Sequence, residues 1–281
     1  MQTVRTLPEL RAACTSLRAA RGRLVLVPTM GALHDGHRAL VETAAQRGAG
    51  VIASIFVNPL QFGPAEDLTR YPRDEAGDLT RLAEWGCALA WLPDLATMYP
   101  PQHATVIVPG GPAERWEGAA RPEHFRGVAT VVAMLFNQVR PDAACFGEKD
   151  WQQLQVVRRM TTDLCLDVEI IAVPTVRVPD GLALSSRNRY LGPAERATAP
   201  LLHAALARAG TELAAGEPAE RVLGAARAAL GASGFALDYL DLVDGPTLVP
   251  LAAPVLGARL IAAARLGAVR LIDNVPLPAP R

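Results

Sequence analysis

Residues 24–37 read LVLVPTMGALHDGH, and the order of residue types in that stretch decides the fold. Leu24 to Val27 is an uninterrupted apolar run, the composition of a strand buried on both faces. Pro28-Thr29-Met30-Gly31 breaks it as a loop, and a helical stretch follows from about Gly36 to Arg47. The same alternation continues along the chain. An apolar run at Val51 to Val57, ended by Asn58-Pro59, precedes a polar helical stretch from about Ala65 to Trp85. A run at Ala88 to Leu92, a helix from about His124 to Gln138 and a run at Ala143 to Phe146 come next. A helix from about Asp150 to Leu166 and a run at Glu169 to Val173 complete the series. Ahead of it, Thr6-Leu7-Pro8-Glu9 has the spacing of a capping box and opens a helical stretch from Leu10 to Ala20. Apolar runs alternating with helices predict a parallel sheet covered on both faces.

The pattern changes after about residue 175. Helical stretches at about Pro193 to Ala215 and Ala219 to Leu230 are followed by strand-like runs at Phe235 to Val243, Ala258 to Ala264 and Val269 to Ile272. Helices followed by consecutive strands predict a separate α+β unit. The expected architecture is α/β: a Rossmann-like, doubly wound parallel sheet in residues 1–175 and a smaller α+β domain in residues 176–281. The Pro-rich tail from Pro276 to Arg281 is expected to be loose, and no internal repeat is present.

Composition excludes several classes. A chain of 281 residues suggests two domains or one large one. Half of the residues are hydrophobic and 20% charged, enough to bury a substantial core. The 28 basic and 28 acidic residues cancel, which leaves no basic excess for nucleic acid. No apolar run approaches the roughly 18–20 residues of a membrane span. The opening MQTVRTLPEL lacks the apolar core of a secretory signal. Cys14, Cys87, Cys145 and Cys165 form no CxxC pair and no metal-ligand spacing, as expected of a cytosolic chain with unpaired, buried thiols. Only one of the basic residues is lysine, Lys149. Where arginine serves every other positive charge, the remaining lysine marks a place that needs a compact point charge.

Four stretches carry candidate chemistry. His34-x-Gly36-His37 follows the first strand, where open α/β sheets bind ligands. It is neither GxGxxG nor a P-loop, since His37-Arg38 follows Gly36. Gly36 allows close backbone approach, free helix N–H groups favour a phosphate, and the two imidazoles can donate to phosphoryl oxygens. Phe146-Gly147-Glu148-Lys149-Asp150 is a second strand-to-helix junction, with Lys149 within reach of phosphates and Asp150 expected to cap the helix. Gln153 lies one turn further on. Leu184-Ser185-Ser186-Arg187-Asn188 suits a triphosphate clamp. Asn58-Pro59-Leu60-Gln61-Phe62 places a glutamine at a strand end, suited to a small polar substrate. No nucleophile–base pair and no metal cage stand out, so phosphoryl chemistry on a nucleotide is the leading reading of these residues.

These stretches also carry a family pattern. With YPR at Tyr71 to Arg73, FRGV at Phe125 to Val128, Tyr190-Leu191 and RLIDN at Arg270 to Asn274, the chain resembles the pantothenate synthetases (pantoate–β-alanine ligases), members of the HxGH nucleotidyltransferase superfamily. HxGH alone is widely shared; its combination with GEKD-x-QQL and LSSRN is specific. The resemblance implies an ATP-dependent ligation of pantoate to β-alanine through pantoyl adenylate, with release of pyrophosphate and AMP. It further implies Mg²⁺, a cytoplasmic homodimer and a place in coenzyme A biosynthesis. By the family pattern, ATP lies against Met30, Gly31, Ala32, Leu33, His34, Asp35, Gly36 and His37, against Gly147, Glu148, Lys149 and Asp150, and against Val176, Leu184, Ser185, Ser186 and Arg187. Gln61 and Gln153 match pantoate readers, and Gln61 also the β-alanine site. His37, His34 and Lys149 take the catalytic positions, and Arg126 is expected near them. Against the family pattern, Leu60 stands where Met is frequent, Asp74 follows YPR near the substrate loop where Thr is frequent, and Arg189 occupies a variable place after SSRN. Two other readings stay open at this point: another nucleotidyltransferase of the superfamily with a phosphate acceptor, and a catalytically dead nucleotide-binding regulator.

Overall fold

The computed structural model describes residues 1–47, 50–63, 68 and 71–278. Six strands form one sheet: β1 (Gln2–Val4), β2 (Leu24–Thr29), β3 (Gly50–Ile55), β4 (Leu89–Trp91), β5 (Ala143–Gly147) and β6 (Glu169–Val173). Every pairing is parallel, and the order across the sheet is β1-β4-β3-β2-β5-β6. The chain lays β3 and β4 to one side of β2, then returns to place β5 on the other. The order therefore reverses between β2 and β5, and the carboxyl ends of these two strands border the crevice where such sheets bind ligands. The edge strand β1 was not foreseen; two of its three residues are exposed, so it carries no apolar run.

The helices, in chain order, are α1 (Leu7–Arg21), α2 (Asp35–Gln46), α3 (Glu75–Glu84), the single turns α4 (Leu95–Met98) and α5 (Glu117–Ala120), α6 (His124–Val139), α7 (Trp151–Asp163), α8 (Pro193–Thr198), α9 (Leu201–Ala214) and α10 (Ala219–Ala232). Alternate residues of β2 serve opposite faces of the sheet. Leu24 and Leu26 pack with α1, α6 and α7, whereas Val25 and Val27 pack with α2 and α3. This two-sided burial explains why the strand reads as continuous apolar sequence. The last three strands, β7 (Phe235–Asp244), β8 (Ala258–Leu266) and β9 (Val269–Pro276), form a separate antiparallel sheet. Leu206 and Leu213 of α9 and Leu230 of α10 pack against its Leu240, Leu260 and Ala262 in a second core.

Four expectations need correction. The helical stretch expected over 193–215 is two helices, broken before Leu201 where Pro200 supplies no N–H and stands as the cap of α9. The helix expected from about Ala65 begins only at Glu75, where Asp74 caps it; residues 64–67, 69 and 70 lie outside those described. The tail is held at its start, because Leu277 is buried and its N–H donates to the carbonyl of Ala258 at 2.9 Å. Residues 279–281 of the tail lie outside those described. Cys14, Cys87 and Cys145 are buried, but Cys165 is exposed, in the turn after α7. No helix among the described residues is long and apolar enough to cross a membrane.

Candidate active site

The loop after β2 holds an unusual backbone. Gly31 has φ +80° and Ala32 φ +52°. The buried carboxylate of Asp78, on α3, accepts the N–H groups of Ala32 and Leu33, each at 2.8 Å. A Cβ on Gly31 would stand 2.8 Å from that carboxylate, so glycine is required both by the dihedral and by the close approach. Asp78 was not singled out in the sequence. One acid in a polar helix looks the same whether it faces water or a loop.

His34 is the N-cap of α2, with its Nδ1 accepting the Gly36 N–H at 3.1 Å, while His37 Nδ1 accepts the His34 N–H at 3.2 Å. An imidazole whose Nδ1 accepts must carry its neutral-form proton on Nε2. Both rings, 4.2 Å apart between centroids, therefore keep an Nε2–H donor for a ligand. Burial, followed by the charge of Lys149, lowers the His34 pKa to about 4. Burial, followed by His34 and Lys149, lowers that of His37 to about 3, so both rings are neutral at pH 7. The free helix N–H expected at Gly36 is thus already used by the His34 cap. Gly36 itself admits that cap, since a Cβ there would meet the His34 ring at 2.8 Å.

At the end of β5, Glu148–Asp150 forms a single 3-10 turn leading into α7. The Lys149 ammonium lies 3.9 Å from Asp150 Oδ1, and its side chain is only 18% exposed. Asp150 occupies the N-cap position of α7 but makes no cap hydrogen bond, contrary to expectation; its carboxylate stands beside Lys149. Glu148 points elsewhere and accepts Nη2 of Arg259, on β8, at 3.1 Å.

Gln61 closes a 3-10 turn after β3, Pro59–Gln61, that Asn58 organises. Asn58 Oδ1 accepts the Leu60 N–H and the Tyr99 hydroxyl, and its Nδ2 donates to Gln61 Oε1 and to the carbonyl of Gly127. The Gln61 carbonyl accepts from His124 Nδ1 at 2.9 Å and from Arg121 at 3.3 Å. A Cβ on Gly127 would come within 2.3 Å of Leu60, so that glycine lets α6 lie against the turn. The neighbours Gln152 and Gln153 differ. Gln152 is buried and spends its amide on Glu117, Pro112 and Arg115. The Gln153 side chain has no hydrogen-bond partner among the described residues, and Gln153 lines the cavity.

A cavity of about 250 Å³ brings together Met30, His34, Gly36, His37, Gln61, Gly147, Lys149, Asp150, Gln153, Val176, Leu184, Ser185, Ser186 and Arg187. Gly31, Ala32, Leu33, Asp35 and Glu148 do not line it: the first three form the buried loop on Asp78, and Asp35 is exposed. The 184–187 segment is rooted by the Leu184 N–H on the Val176 carbonyl, and Ser186 shares a hydrogen bond with the half-buried Tyr71 phenol. Lys149, Gln153 and Ser185 to Arg187 also border a larger cleft of about 930 Å³, whose far wall includes β9. Arg126 is turned outward and pairs with Glu123. Asp74, the departure after Tyr71-Pro72-Arg73, caps α3 through the Gly77 N–H at 3.0 Å, a role Thr could also fill.

The chain matches the pantoate-beta-alanine ligase family over residues 2–276. The chain belongs to the pantoate–β-alanine ligase family. By that membership it is a ligase joining pantoate to β-alanine. It is 62% identical to a pantothenate synthetase of Acidiphilium cryptum over 98% of this chain and 99% of the relative. The crystal structure of pantothenate synthetase from Thermus thermophilus superposes with a TM-score of 0.93 at 51% identity, covering 99% of each chain. That of a pantoate-beta-alanine ligase from Francisella tularensis, complexed with beta-gamma ATP and β-alanine, superposes at 0.82 with 31% identity over the whole of both chains. As in those ligases, a six-stranded parallel sheet is joined to a small antiparallel one.

Proposed function

We propose that this cavity carries both steps of the ligation. The convergence of His34, His37 and Lys149 on one side with Gln61 and Gln153 on the other supports it. The pantoate carboxylate, ionised at neutral pH, attacks the α-phosphorus of ATP; the bond to the bridging oxygen breaks and pyrophosphate leaves. No general base is needed for that step. The cost lies in bringing two anions together, and the Nε2–H donors of His34 and His37 with the Lys149 ammonium oppose it where charge develops. The amine of β-alanine then attacks the activated carbonyl, AMP leaves, and the amine gives up a proton to solvent. Gln61 and Gln153 read pantoate by hydrogen bonds, and neutral amides leave its carboxylate free as nucleophile.

Gly147, Lys149, Asp150, Val176, Leu184, Ser185, Ser186 and Arg187 hold the nucleotide in this reading, with Met30 and Gly36 of the first loop. Gly31, Ala32, Leu33, Asp35 and Glu148 shape the walls behind it. Among the described residues no three His, Cys, Asp or Glu side chains converge as a metal cage. The donors present fit a magnesium ion held mainly by ATP phosphates, with Asp150 the carboxylate at hand. When bound, that ion supplies charge neutralisation of the triphosphate. Residues 176–281 form the unit that closes the site, and a cytoplasmic homodimer completes the proposal.

The test is product analysis with purified protein. Pyrophosphate release from ATP should require pantoate, and AMP should accumulate catalytically only when β-alanine is added. AMP turnover indifferent to β-alanine would reject the ligation.

A further inference from the structure

The RLIDN stretch lies on β9, and its last two residues reach the two loops on either side of the proposed nucleotide site. Asn274 is buried, and its Nδ2 donates to the carbonyls of Glu148 at 2.8 Å and Lys149 at 3.0 Å. Its Oδ1 accepts from Nη1 of Arg259. Arg259 in turn bonds Glu148, and its guanidinium lies 3.4 Å above the Trp151 ring. Asn274 thus holds the backbone that carries Lys149, while Arg259 holds the side chains of Glu148 and Trp151 on either side of it. The preceding residue, Asp273, is also buried and takes Arg177 in a two-point pair at 2.6 and 2.8 Å. Arg177 is bridged to Ala183 and donates to the Gly181 carbonyl, at the root of the 184–187 segment.

We infer that Asp273 and Asn274 are positioning residues for the adenylation step: one strand sets the separation between Lys149 and the Ser185–Arg187 segment. The physical ground is placement. Lys149 acts as a point charge on a flexible stem, so its aim depends on where its backbone is fixed. Displacement of about 1 Å at a reacting centre can cost on the order of 100-fold. An amide is suited to the grip because one side chain offers two donors to two carbonyls and an acceptor to Arg259. Adjacent residues on a strand point to opposite sides, which lets one dipeptide serve two loops.

This rests on the ligation proposed above, and the experiment separates the two. Wild-type enzyme is assayed for pantoate-dependent exchange of pyrophosphate into ATP; no exchange in wild type defeats the ligation reading itself. With wild type active, Asn274→Ala is expected to lower kcat for exchange at least 10-fold while the KM for ATP changes less. Asn274→Asp, which keeps the shape and removes both donors, should fall with it. The decisive measurement is a double-mutant cycle. If Asn274 acts through Lys149, adding Asn274→Ala to Lys149→Ala costs less than about a further twofold. Losses that multiply overturn the inference, as does an Asn274→Asp enzyme with wild-type kcat. Should Asn274→Ala melt below the assay temperature, the cycle is run with Asn274→Asp.

Discussion

Lys149 is the only lysine among 28 basic residues, and the structure gives that choice a physical setting. Its ammonium shares a small cavity with two neutral imidazoles and depresses their protonation. A guanidinium fork is broader and cannot enter as a point charge. Lys149→Ala is expected to cost roughly 2.7–4 kcal/mol of transition-state stabilisation in steady-state kcat, the scale of one well-placed electrostatic donor. Lys149→Arg should recover little of it; wild-type kcat in the Arg enzyme contradicts the point-charge argument. The histidines give a stability prediction. Their folded pKa values, about 4 for His34 and 3 for His37, lie below the ordinary 6.5. Between those values the unfolded chain binds the protons and the folded chain does not, so stability is full above pH 6.5 and declines as pH falls toward 4 and then 3. In His37→Asn the amide oxygen can still accept the His34 N–H, but the titration is gone. Its unfolding free energy should fall less steeply across that window in urea titrations at stepped pH.

Among the elements, α3 contributes most through a single side chain. Asp78 satisfies the N–H groups of Ala32 and Leu33 in a loop whose backbone is left-handed at two successive positions. Without the carboxylate those two buried donors have no partner, at a cost of about 1–3 kcal/mol each. Asp78→Ala should therefore lower stability by about 2–6 kcal/mol in urea unfolding and slow adenylation as well, because the same loop leads into the His34 cap. A variant of unchanged stability would show that the loop holds its shape unaided. Some other elements follow rules readable in one dimension. Thr6 and Glu9 form the expected capping box on α1. Gly267 at φ +57° makes the two-residue turn between β8 and β9.

For the whole molecule, what matters is how the two sheets are fastened. Besides the Asn274 grip, the buried Glu117 of α5 lies between Arg270 of β9 at 2.8 Å and Arg121 at 3.1 Å. Burial alone would raise the Glu117 pKa; the two guanidiniums outweigh it and hold the carboxyl below its ordinary value. Arg121 also reaches the Gln61 carbonyl, so the fastening runs to the proposed substrate reader. Arg270→Ala leaves a buried carboxylate with one cation fewer. The expected loss approaches, without exceeding, the roughly 3–5 kcal/mol of a broken buried pair, since Arg121 remains. A change below about 1 kcal/mol in denaturant midpoint analysis would show that β9 contributes nothing through this contact.

The sequence by itself determined the alternation of buried strands with helices, because a strand covered on both faces must be apolar at every position, as Leu24 to Val27 is. It also marked the loops proposed to carry the chemistry, because HxGH, GEKD and LSSRN are local strings, and residues of all three line one cavity. Only the tertiary structure decided that β2 and β5, more than a hundred residues apart, lie side by side, so that His37 and Lys149 share one cavity. It alone showed that Gly36 makes room for the His34 ring, that Gln152 is spent on the fold while Gln153 is open, and that Asp78 and Asn274 hold loops distant in the chain. The reason is the range of the interaction. Burial periodicity, caps and turns are settled within a few residues, whereas a carboxylate or amide that fixes a remote backbone has no signature beside it, and its partner is chosen by packing.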